Sequence, residues 1–360
     1  MRRVARLAAL NGDGGQVMTN LQLLESVLAE HLQPIRGLAL AHAIFGAFQV
    51  GLIDALGAGP RDVQDLASEL GLHSERLAGL LDYLENEGLV ERSGTAASLT
   101  GKGEQLTLVR PWYELLVGGY AGTFAQLPVT LQAGAPFAGR DGARVAIGSC
   151  GISDHDALPM VLELMRLGAQ PSAVVDLGCG DGTFVAEIAD EFSEVPAFGI
   201  EPDAGARKSA EEAAAQRGLA NLRILAGDAL DIPAEARALP PGACYITAFV
   251  LQEVLEQSGR AAVVDLLRRT FDADREASWV VIEVDRRHPL SAEPSDLALG
   301  YYNPYFLIHR LTEQRLLPVE EWGAIYREAG VEVVREVFPD PAYDPLGIKF
   351  GHLLRRREGA

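Results

Sequence analysis

Apolar residues recur every three or four positions between Leu21 and Leu56, most densely in the segment LALAHAIFGAFQVGLIDAL. This spacing predicts helices, because a period of 3.6 residues brings such positions onto one face. The segment is apolar around most of its circumference, and a helix of that kind needs a large surface to cover it. We therefore expect these helices to pack against a second copy of the chain.

The pattern then predicts a helix after Arg61, a turn at Gly71, a helix from Ser74 and two short strands around the turn at Ser93 and Gly94. The hydroxyl of Ser74 is predicted to cap the second helix by accepting from free amides of its first turn. This order of elements is the layout of a winged helix-turn-helix.

Winged helix-turn-helix modules often bind DNA, but the charges here argue against that role. The second predicted helix carries four acidic residues and one basic residue: Glu75, Asp82, Glu85, Glu87 and Arg76. The formal net charge of the whole chain is −19. Phosphate backbones repel such a surface, so nucleic acid is a poor candidate partner and a structural or dimerisation role is predicted.

Residues 112–168 are predicted to form helices and loops with several glycine breaks. From Ser172 onward, buried strands alternate with helices, as in AVVDLG followed by TFVAEIADEF. This alternation predicts an α/β fold with a mostly parallel sheet covered on both faces. The last two strand segments, VEVVREVFP and LGIKFGHLLRRR, have no helix between them, so they should pair antiparallel at one edge.

The predicted organisation has four parts. Residues 1–20 form a disordered tail, and residues 21–110 form the winged-helix-like dimerisation domain. Residues 111–168 form a helical connector that contributes to a substrate pocket, and residues 169–360 form the catalytic domain.

The composition of the chain bears on its cellular location. Hydrophobic residues make up 48% of the chain and charged residues 22%, which is ordinary for a globular protein with a core. The three cysteines, Cys150, Cys179 and Cys244, are too few and too scattered for a disulfide framework or a cysteine-based zinc site. The N-terminal apolar run is too short for a signal peptide, and no segment reaches the length of a membrane helix. We expect a cytoplasmic protein without a membrane partner.

The most specific motif is VVDLGCGDGTF, from Val174 to Phe184, where the first strand of the alternating half meets its helix. Its glycines leave no side chain between the backbone and a ligand, and ligands of open parallel sheets bind beyond the carboxyl ends of the strands. The dinucleotide fingerprint would need glycine at Thr183. The motif therefore does not match a dinucleotide-binding site.

The pattern Asp-x-Gly-x-Gly-x-Gly, with Asp176, Gly178 and Gly180, resembles that of the class I S-adenosylmethionine (SAM)-dependent methyltransferases. The resemblance covers the chain from Ser172 onward and implies a seven-stranded Rossmann-like sheet. It further implies that Glu201, at the end of the second strand, accepts hydrogen bonds from both ribose hydroxyls. In the same way, Asp228 after the third strand would bind the adenine amino group.

Ala229, beside Asp228, and Ser149, in the connector, complete the cofactor contacts that the resemblance implies.

The acceptor site departs from the related small-molecule O-methyltransferases. In those enzymes a histidine just after the fourth strand removes a proton from a phenol. This chain has FVLQEVLEQ there, with Gln252 and Glu253 in place of the expected His-Asp pair. Glutamine cannot accept a proton, so the usual mechanism is absent.

Two other segments resemble a narrower group, the C-methyltransferases that act on the β-carbon of α-keto acids such as phenylpyruvate, indolepyruvate and 2-ketoarginine. They are GRDGARVAIGSCGISDHDALP, from Gly139, and YYNPYFLIHRLTEQRL, from Tyr301. The resemblance implies a divalent metal, zinc or iron, that chelates the keto acid near the SAM methyl group. His309 and Gln252 fall on the implied ligand positions.

The chemistry assigns roles to the remaining candidates. A metal would stabilise the enolate, Glu253 would take the proton, and Arg140 would pair with the carboxylate of the keto acid. Trp112, Tyr302 and Tyr305 would line an apolar pocket.

Two alternatives to this hypothesis stay open. One is an O- or N-methyltransferase of a phenolic or polyketide-like small molecule, with Glu253 as the base. The other is a SAM-binding transcription regulator. The predicted enzyme is a homodimer in natural-product biosynthesis.

Overall fold

The computed structural model describes residues 20–168, 170–286, 295–314, 316–344 and 346–357. Residues 1–19 of the tail predicted for residues 1–20 lie outside the described residues. The chain divides into two compact units, one ending at Tyr113 and one beginning at Glu114. Among the described residues, none of the helices combines the length and apolar composition needed to cross a membrane.

The first unit is mainly helical and has a small antiparallel sheet of strand order β1-β3-β2. Its elements are α1 (Asn20–His31), α2 (Gln33–Gln49), α3 (Leu52–Gly57), β1 (Arg61–Asp62), α4 (Val63–Glu69), α5 (Ser74–Asn86), β2 (Val90–Ser93), β3 (Ala96–Leu99), α6 (Gly101–Glu104), a 3₁₀ turn (Gln105–Val109) and α7 (Arg110–Tyr113). Their apolar faces enclose one core. The elements from α4 to β3 follow the predicted order, and the winged-helix assignment stays a prediction.

The helix caps of this unit differ from the prediction at one position. The predicted cap at Ser74 is wrong, because α5 already begins at Ser74, with His73 in the cap position and no side-chain cap hydrogen bond. A true cap precedes α4, where Asp62 Oδ1 accepts from the amides of Gln64 at 2.8 Å and Asp65 at 3.3 Å.

The second unit opens with helices that lead into the sheet. These are a π-helical segment (Glu114–Gly119), α8 (Ala121–Ala125), α9 (Leu127–Thr130) and α10 (Gly142–Leu167). Where the sequence predicted glycine breaks, α10 runs for 26 residues through Gly148 and Pro159. Gly148 serves packing, because a Cβ there would lie 2.4 Å from the backbone nitrogen of Leu115.

The remaining elements alternate as predicted. They are β4 (Val174–Leu177), α11 (Thr183–Glu191), β5 (Ala197–Glu201), α12 (Ala204–Arg217), β6 (Leu222–Ala226), α13 (Ala234–Arg237), β7 (Cys244–Ala248), α14 (Leu251–Ser258), α15 (Arg260–Ala273), β8 (Ser278–Val284), a π-helical segment (Ala298–Tyr302), α16 (Asn303–Leu311), α17 (Val319–Glu328), β9 (Val331–Val337) and β10 (Lys349–Arg356).

Seven strands form one mixed sheet of order β6-β5-β4-β7-β8-β10-β9. The pairs from β6 to β8 are parallel, and β10 is antiparallel to both β8 and β9. β4 and β8 are buried along their whole length, since separate apolar clusters cover the two faces of the sheet. The predicted fold class and the antiparallel edge are confirmed. The order brings the carboxyl ends of β4, β5, β6 and β7 to one edge.

Candidate active site

The loop after β4 has three glycines in the left-handed region, Gly178 (φ 78°), Gly180 (φ 57°) and Gly182 (φ 81°). Side chains rarely adopt this conformation, so glycine is required for the turn itself. A Cβ on Gly178 would also lie 2.7 Å from Val250 Cγ2, and one on Gly180 would lie 3.0 Å from Cys150 Sγ. The loop is therefore held closely between α10 and the residue that precedes α14.

The carboxylate of Glu201 fixes this loop to the end of β5. Its Oε2 accepts from the amide of Gly180 at 3.0 Å, and its Oε1 accepts from the amide of Asp203 at 2.9 Å. Each carboxylate oxygen has a second lone-pair direction, so the group retains capacity to accept from a ligand hydroxyl.

Asp176 lies below the loop, inside β4, with only 2% of its surface exposed. Burial and the nearby charge of Glu201 raise the pKa of Asp176 to about 7.

The other predicted cofactor residues lie on neighbouring elements. Asp228 follows β6, and its Oδ1 accepts from the amides of Leu230 at 2.7 Å and Asp231 at 2.8 Å. Ala229 is buried beside it. Ser149 lies on α10 next to Cys150, which contacts the glycine loop. The roles of these residues in cofactor binding stay predictions.

A buried carboxylate organises the start of α14, which carries Gln252 and Glu253. Glu283 on β8 is completely buried, and its Oε1 accepts from the amide of Gln252 at 3.0 Å. Burial raises the pKa of Glu283 to about 8, against the opposing effect of its bonds to the backbone of α14. Glu283 Oε2 and Gln252 Oε1 are both buried without a hydrogen-bond partner.

The turn into α14 also contains the single positive-φ residue other than glycine among those described. Phe249, directly after β7, has φ 60°. Its amide donates to the carbonyl of Ile282 at 2.9 Å. A bulky residue in the left-handed region costs of order 1–3 kcal/mol, and such strain is concentrated at functional sites.

Arg140 lies in the loop before α10, and the backbone around it is held at three points. The amide of Ala138 donates to Leu311 O at 2.8 Å, the hydroxyl of Thr123 donates to Gly139 O at 2.7 Å, and the amide of Asp141 donates to Gly119 O at 3.0 Å. Nη1 of Arg140 is buried without a hydrogen-bond partner.

Three of the candidate side chains share one electrostatic environment. The charge of Arg140 lowers the pKa of both Glu253 and His309. For Glu253, desolvation is the larger effect and raises the pKa, although the residue is exposed to solvent. Arg140 is thus close enough for its charge to act on both Glu253 and His309.

His309, on α16, is a neutral imidazole at physiological pH. Burial lowers its pKa to about 4. Its Nδ1 lies 2.7 Å from the carbonyl oxygen of Tyr305, which can only accept, so the proton is assigned to Nδ1 and the lone pair to Nε2. This is the form in which histidine binds metals. Among the described residues, however, no three His, Cys, Asp or Glu side chains form a group that could hold a metal ion.

The aromatic candidates differ in their surroundings. Tyr305 is half-buried, and its ring lies 4.2 Å from that of His309. Tyr302 is fully buried, and its hydroxyl donates to Tyr343 O at 3.4 Å. Trp112 belongs to the first unit, in α7. Their contact with a substrate stays a prediction.

Two residues of this site escaped the sequence analysis. Glu283 is an acidic residue inside the apolar segment SWVVIEV, and a charge within a buried strand was a signal that could have revealed it. Tyr120, which is buried and whose pKa is affected by the charge of Arg140, gave no such signal, because a tyrosine in a helical segment resembles any core residue.

The sheet order, the glycine loop and the acidic residue ending β5 together define the class I SAM-dependent methyltransferase fold. A family described as "Methyltransferase domain" matches residues 174–278. The solved structure of mitomycin 7-O-methyltransferase is similar, with a TM-score of 0.66 at 21% identity, covering 93% of this chain and 99% of that one.

Two curated relatives match over most of their length. The 2-ketoarginine methyltransferase of Streptomyces arginensis is 46% identical over 342 residues, 92% of this chain and 97% of the relative. The indolepyruvate C-methyltransferase of Streptomyces griseus is 27% identical over 289 residues, 79% of this chain and 84% of the relative. The chain therefore belongs to the family of SAM-dependent methyltransferases that includes this 2-ketoarginine methyltransferase.

Proposed function

We propose that this enzyme transfers the methyl group of SAM to the β-carbon of an α-keto acid. The observation that supports the proposal is that the charge of Arg140 acts on both Glu253 and His309, so that a group able to bind an anion would lie near a group able to act as a base. The names of the two relatives support the same substrate class. Gln252, which cannot act as a base, argues against the histidine mechanism of O-methyltransferases.

Arg140 binds the carboxylate of the keto acid in this proposal. A guanidinium forms paired hydrogen bonds with a carboxylate, and Nη1 of Arg140 is buried and has no partner in the protein. Because the backbone on both sides of Arg140 is anchored, the bound carboxylate would have a defined position relative to Glu253.

Glu253 then takes the proton from the β-carbon. Partial desolvation raises the pKa of Glu253 and makes its carboxylate a stronger base, and the charge of Arg140 opposes this rise. The electron pair left on the β-carbon forms the new C–C bond to the SAM methyl group. The C–S bond breaks, S-adenosylhomocysteine leaves, and the proton stays on Glu253 until solvent removes it.

A divalent metal, zinc or iron, fits the residues present as a weakly held ion. His309 has a free Nε2 lone pair, and Gln252 offers a buried oxygen without a partner. These two side chains would hold the ion, and oxygens of the keto acid would supply further ligands. Such an ion would supply positive charge close to the ketone and make the neighbouring C–H more acidic.

The proposed assembly is a homodimer formed through the first unit. Support comes from an apolar stripe of exposed residues along α1 and α2 at spacings of three and four: Leu24, Leu28, Leu32, Ile35 and Leu38. A cytoplasmic location is proposed from the three cysteines, which are all free thiols.

The test is a mass-spectrometric methylation screen with purified protein and SAM. The acceptors are 2-ketoarginine, indolepyruvate, phenylpyruvate and 4-methyl-2-oxopentanoate, with a catechol and a flavonoid, each with and without chelator. We expect a keto acid to gain one methyl group on carbon and Arg140→Gln to abolish this reaction. The matched variant Arg237→Gln, at an exposed position, should remain fully active.

Methylation of the phenols alone would overturn the proposal and favour an O-methyltransferase. If a chelator does not affect the methylation of a keto acid, the proposed substrate class stands and the proposed metal is overturned.

A further inference from the structure

The loop that carries Arg140 is held on both sides by the helical segments that precede it. The hydroxyl of Thr123, in α8, donates to Gly139 O at 2.7 Å. The amide of Asp141 donates to Gly119 O at 3.0 Å, where the π-helical segment ends. The peptide groups before and after Arg140 are therefore both bonded to one short stretch of chain.

Thr123 uses its hydroxyl differently from other helical threonines of this chain. A threonine in a helix commonly donates to the carbonyl four residues earlier. Thr130 in α9 and Thr270 in α15 do so, at 3.1 Å and 2.9 Å. Thr123 is completely buried, and its hydroxyl donates to a residue 16 positions later, in the loop. This hydrogen bond therefore connects α8 to the Arg140 loop instead of closing a turn of the helix.

The end of the π-helical segment provides the second connection. Such segments are rare and frequently lie at functional sites. The amide of Phe124, five residues after Gly119, donates to Tyr120 O at 3.1 Å, so the π-helical pattern stops there. Gly119 O accepts from Asp141, directly before α10. A Cβ on Gly119 would lie 2.7 Å from Val145 Cγ2, so the glycine allows this turn to approach the start of α10.

The loop is also fixed relative to α16. The amide of Ala138 donates to Leu311 O at 2.8 Å, and Leu311 is two residues after His309. Nη1 of Arg140 is buried without a hydrogen-bond partner, so one end of the guanidinium is enclosed by protein. A displacement of the loop would therefore move the guanidinium relative to α16 and to any carboxylate that it binds.

We propose that Thr123 is a positioning residue, whose hydroxyl holds the loop so that the guanidinium of Arg140 meets the carboxylate of the substrate. The proposal rests on the proposed function, in which Arg140 binds that carboxylate. Thr123 touches neither substrate nor cofactor in this role and acts only through the loop.

The experiment compares Thr123→Val with Thr123→Ser, with the keto acid that the wild-type enzyme methylates best. Valine has the shape of threonine without the hydroxyl, whereas serine keeps the hydroxyl. Calorimetry measures the Kd of the keto acid for the complex with S-adenosylhomocysteine, and steady-state kinetics measure the KM of the keto acid and of SAM. Thr123→Val should raise the Kd and KM of the keto acid about fivefold, because one hydrogen bond that holds the loop is lost. The values for Thr123→Ser, and the KM for SAM in both variants, should stay within about twofold of wild type.

Two further variants separate positioning from a general structural role. Thr270→Val removes the hydroxyl of another buried helical threonine, one in α15, and should leave the keto acid Kd unchanged. Thr123→Ala removes the same hydroxyl as Thr123→Val without placing a methyl group against Gly139 O. It should raise the keto acid Kd in the same direction, and it tests the inference if Thr123→Val does not fold.

An unchanged keto acid Kd in Thr123→Val and Thr123→Ala, or an equal rise in Thr123→Ser, would overturn the inference while the keto acid function stands. An equal loss of affinity for S-adenosylhomocysteine and for the keto acid in Thr123→Val would overturn it as well, because the substitution would then disturb the whole site. If the wild-type enzyme methylates no keto acid, or Arg140→Gln binds the keto acid as tightly as wild type, then the proposed function itself fails and the inference fails with it.

Discussion

The three glycines after β4 share a backbone conformation but exclude different neighbours. Gly178 lies against Val250, Gly180 against Cys150, and Gly182 against Ala210 of α12. The sequence predicted that these glycines would leave room for a ligand. At Gly182 the structure gives a different reason, since the missing side chain allows two helices of the protein to approach each other.

Gly182→Ala should therefore destabilise the enzyme even without cofactor. The new Cβ would lie 2.5 Å from that of Ala210 at a φ of 81°. Overpacking and the left-handed backbone together should cost about 3 kcal/mol of unfolding free energy, measured by urea denaturation of the apo protein. Gly142→Ala, where no atom lies within 4 Å of the new Cβ, is the control. Equal stability of the two variants would contradict the packing explanation.

Asp176 makes the stability of the apo protein depend on pH. Its pKa of about 7 lies above the ordinary value of 3.8, so the folded state binds the proton more tightly than the unfolded state. The resulting stabilisation is complete below pH 4 and is lost as the pH rises toward 7. The Asp176→Asn variant cannot ionise at this position, so it should not lose stability in this way as the pH rises.

The unfolding free energy of Asp176→Asn relative to wild type should thus increase between pH 4 and 7, by at most roughly 1.4 kcal/mol per pH unit. Above pH 7 the difference should be constant. Thermal and urea denaturation of both apo proteins across this range measure it. A difference that does not vary with pH would mean that Asp176 titrates normally in the folded state.

At the level of elements, strand positions could be predicted from the sequence and the path of α10 could not. β4 and β8 are continuous apolar runs bounded by turns, which is the direct consequence of burial on both faces. α10 contains glycines and a proline that normally interrupt helices. Gly148 is tolerated because α10 packs closely on the segment around Leu115, a tertiary contact that no local pattern encodes.

The residues of the candidate site also fall into those that could be predicted from the sequence and those that could not. The residues of the glycine loop and Glu201 could be found, because each follows a strand whose end is visible in the sequence. Glu283 accepts from the amide of Gln252, 31 positions away in the chain, and the charge of Arg140 acts on Tyr120 from 20 positions away. Their partners become evident only when β8 and α14, or the loop before α10, are brought together.

The start of α14 should depend on Glu283 as a hydrogen-bond acceptor and not as a charge. With a pKa of about 8, the carboxyl is mostly protonated at pH 7, and glutamine has the same shape and a carbonyl oxygen. Glu283→Gln should cost less than about 1 kcal/mol, whereas Glu283→Ala leaves a buried amide of Gln252 unpaired and should cost about 3 kcal/mol.

Denaturation and kcat should be measured for both variants, with the kcat of Glu283→Gln remaining near wild type. If both variants lost stability equally, the ionised form of Glu283 would be the one that matters.

For the whole molecule, the net charge and the exposed apolar stripe have opposite effects on association between copies of the chain. The net charge of −19 opposes association between copies at any random surface. The stripe from Leu24 to Leu38 is an exception, since its exposed apolar residues include Ile35 at 62% and Leu38 at 61%. An exposed stripe of this kind is a cost in water unless a partner covers it, and a second copy offers the same surface.

Wild-type protein should therefore elute as a dimer of about 77 kDa, twice the 38.5 kDa of one chain, by size exclusion with light scattering. The double variant Ile35→Glu with Leu38→Glu should give a monomer, because burying carboxylates at an apolar interface is unfavourable. Leu108→Glu, equally exposed but outside α1 and α2, should leave the dimer intact. A monomeric wild-type enzyme would mean that the stripe is covered in some other way, and a dimeric double variant would place the interface elsewhere on the chain.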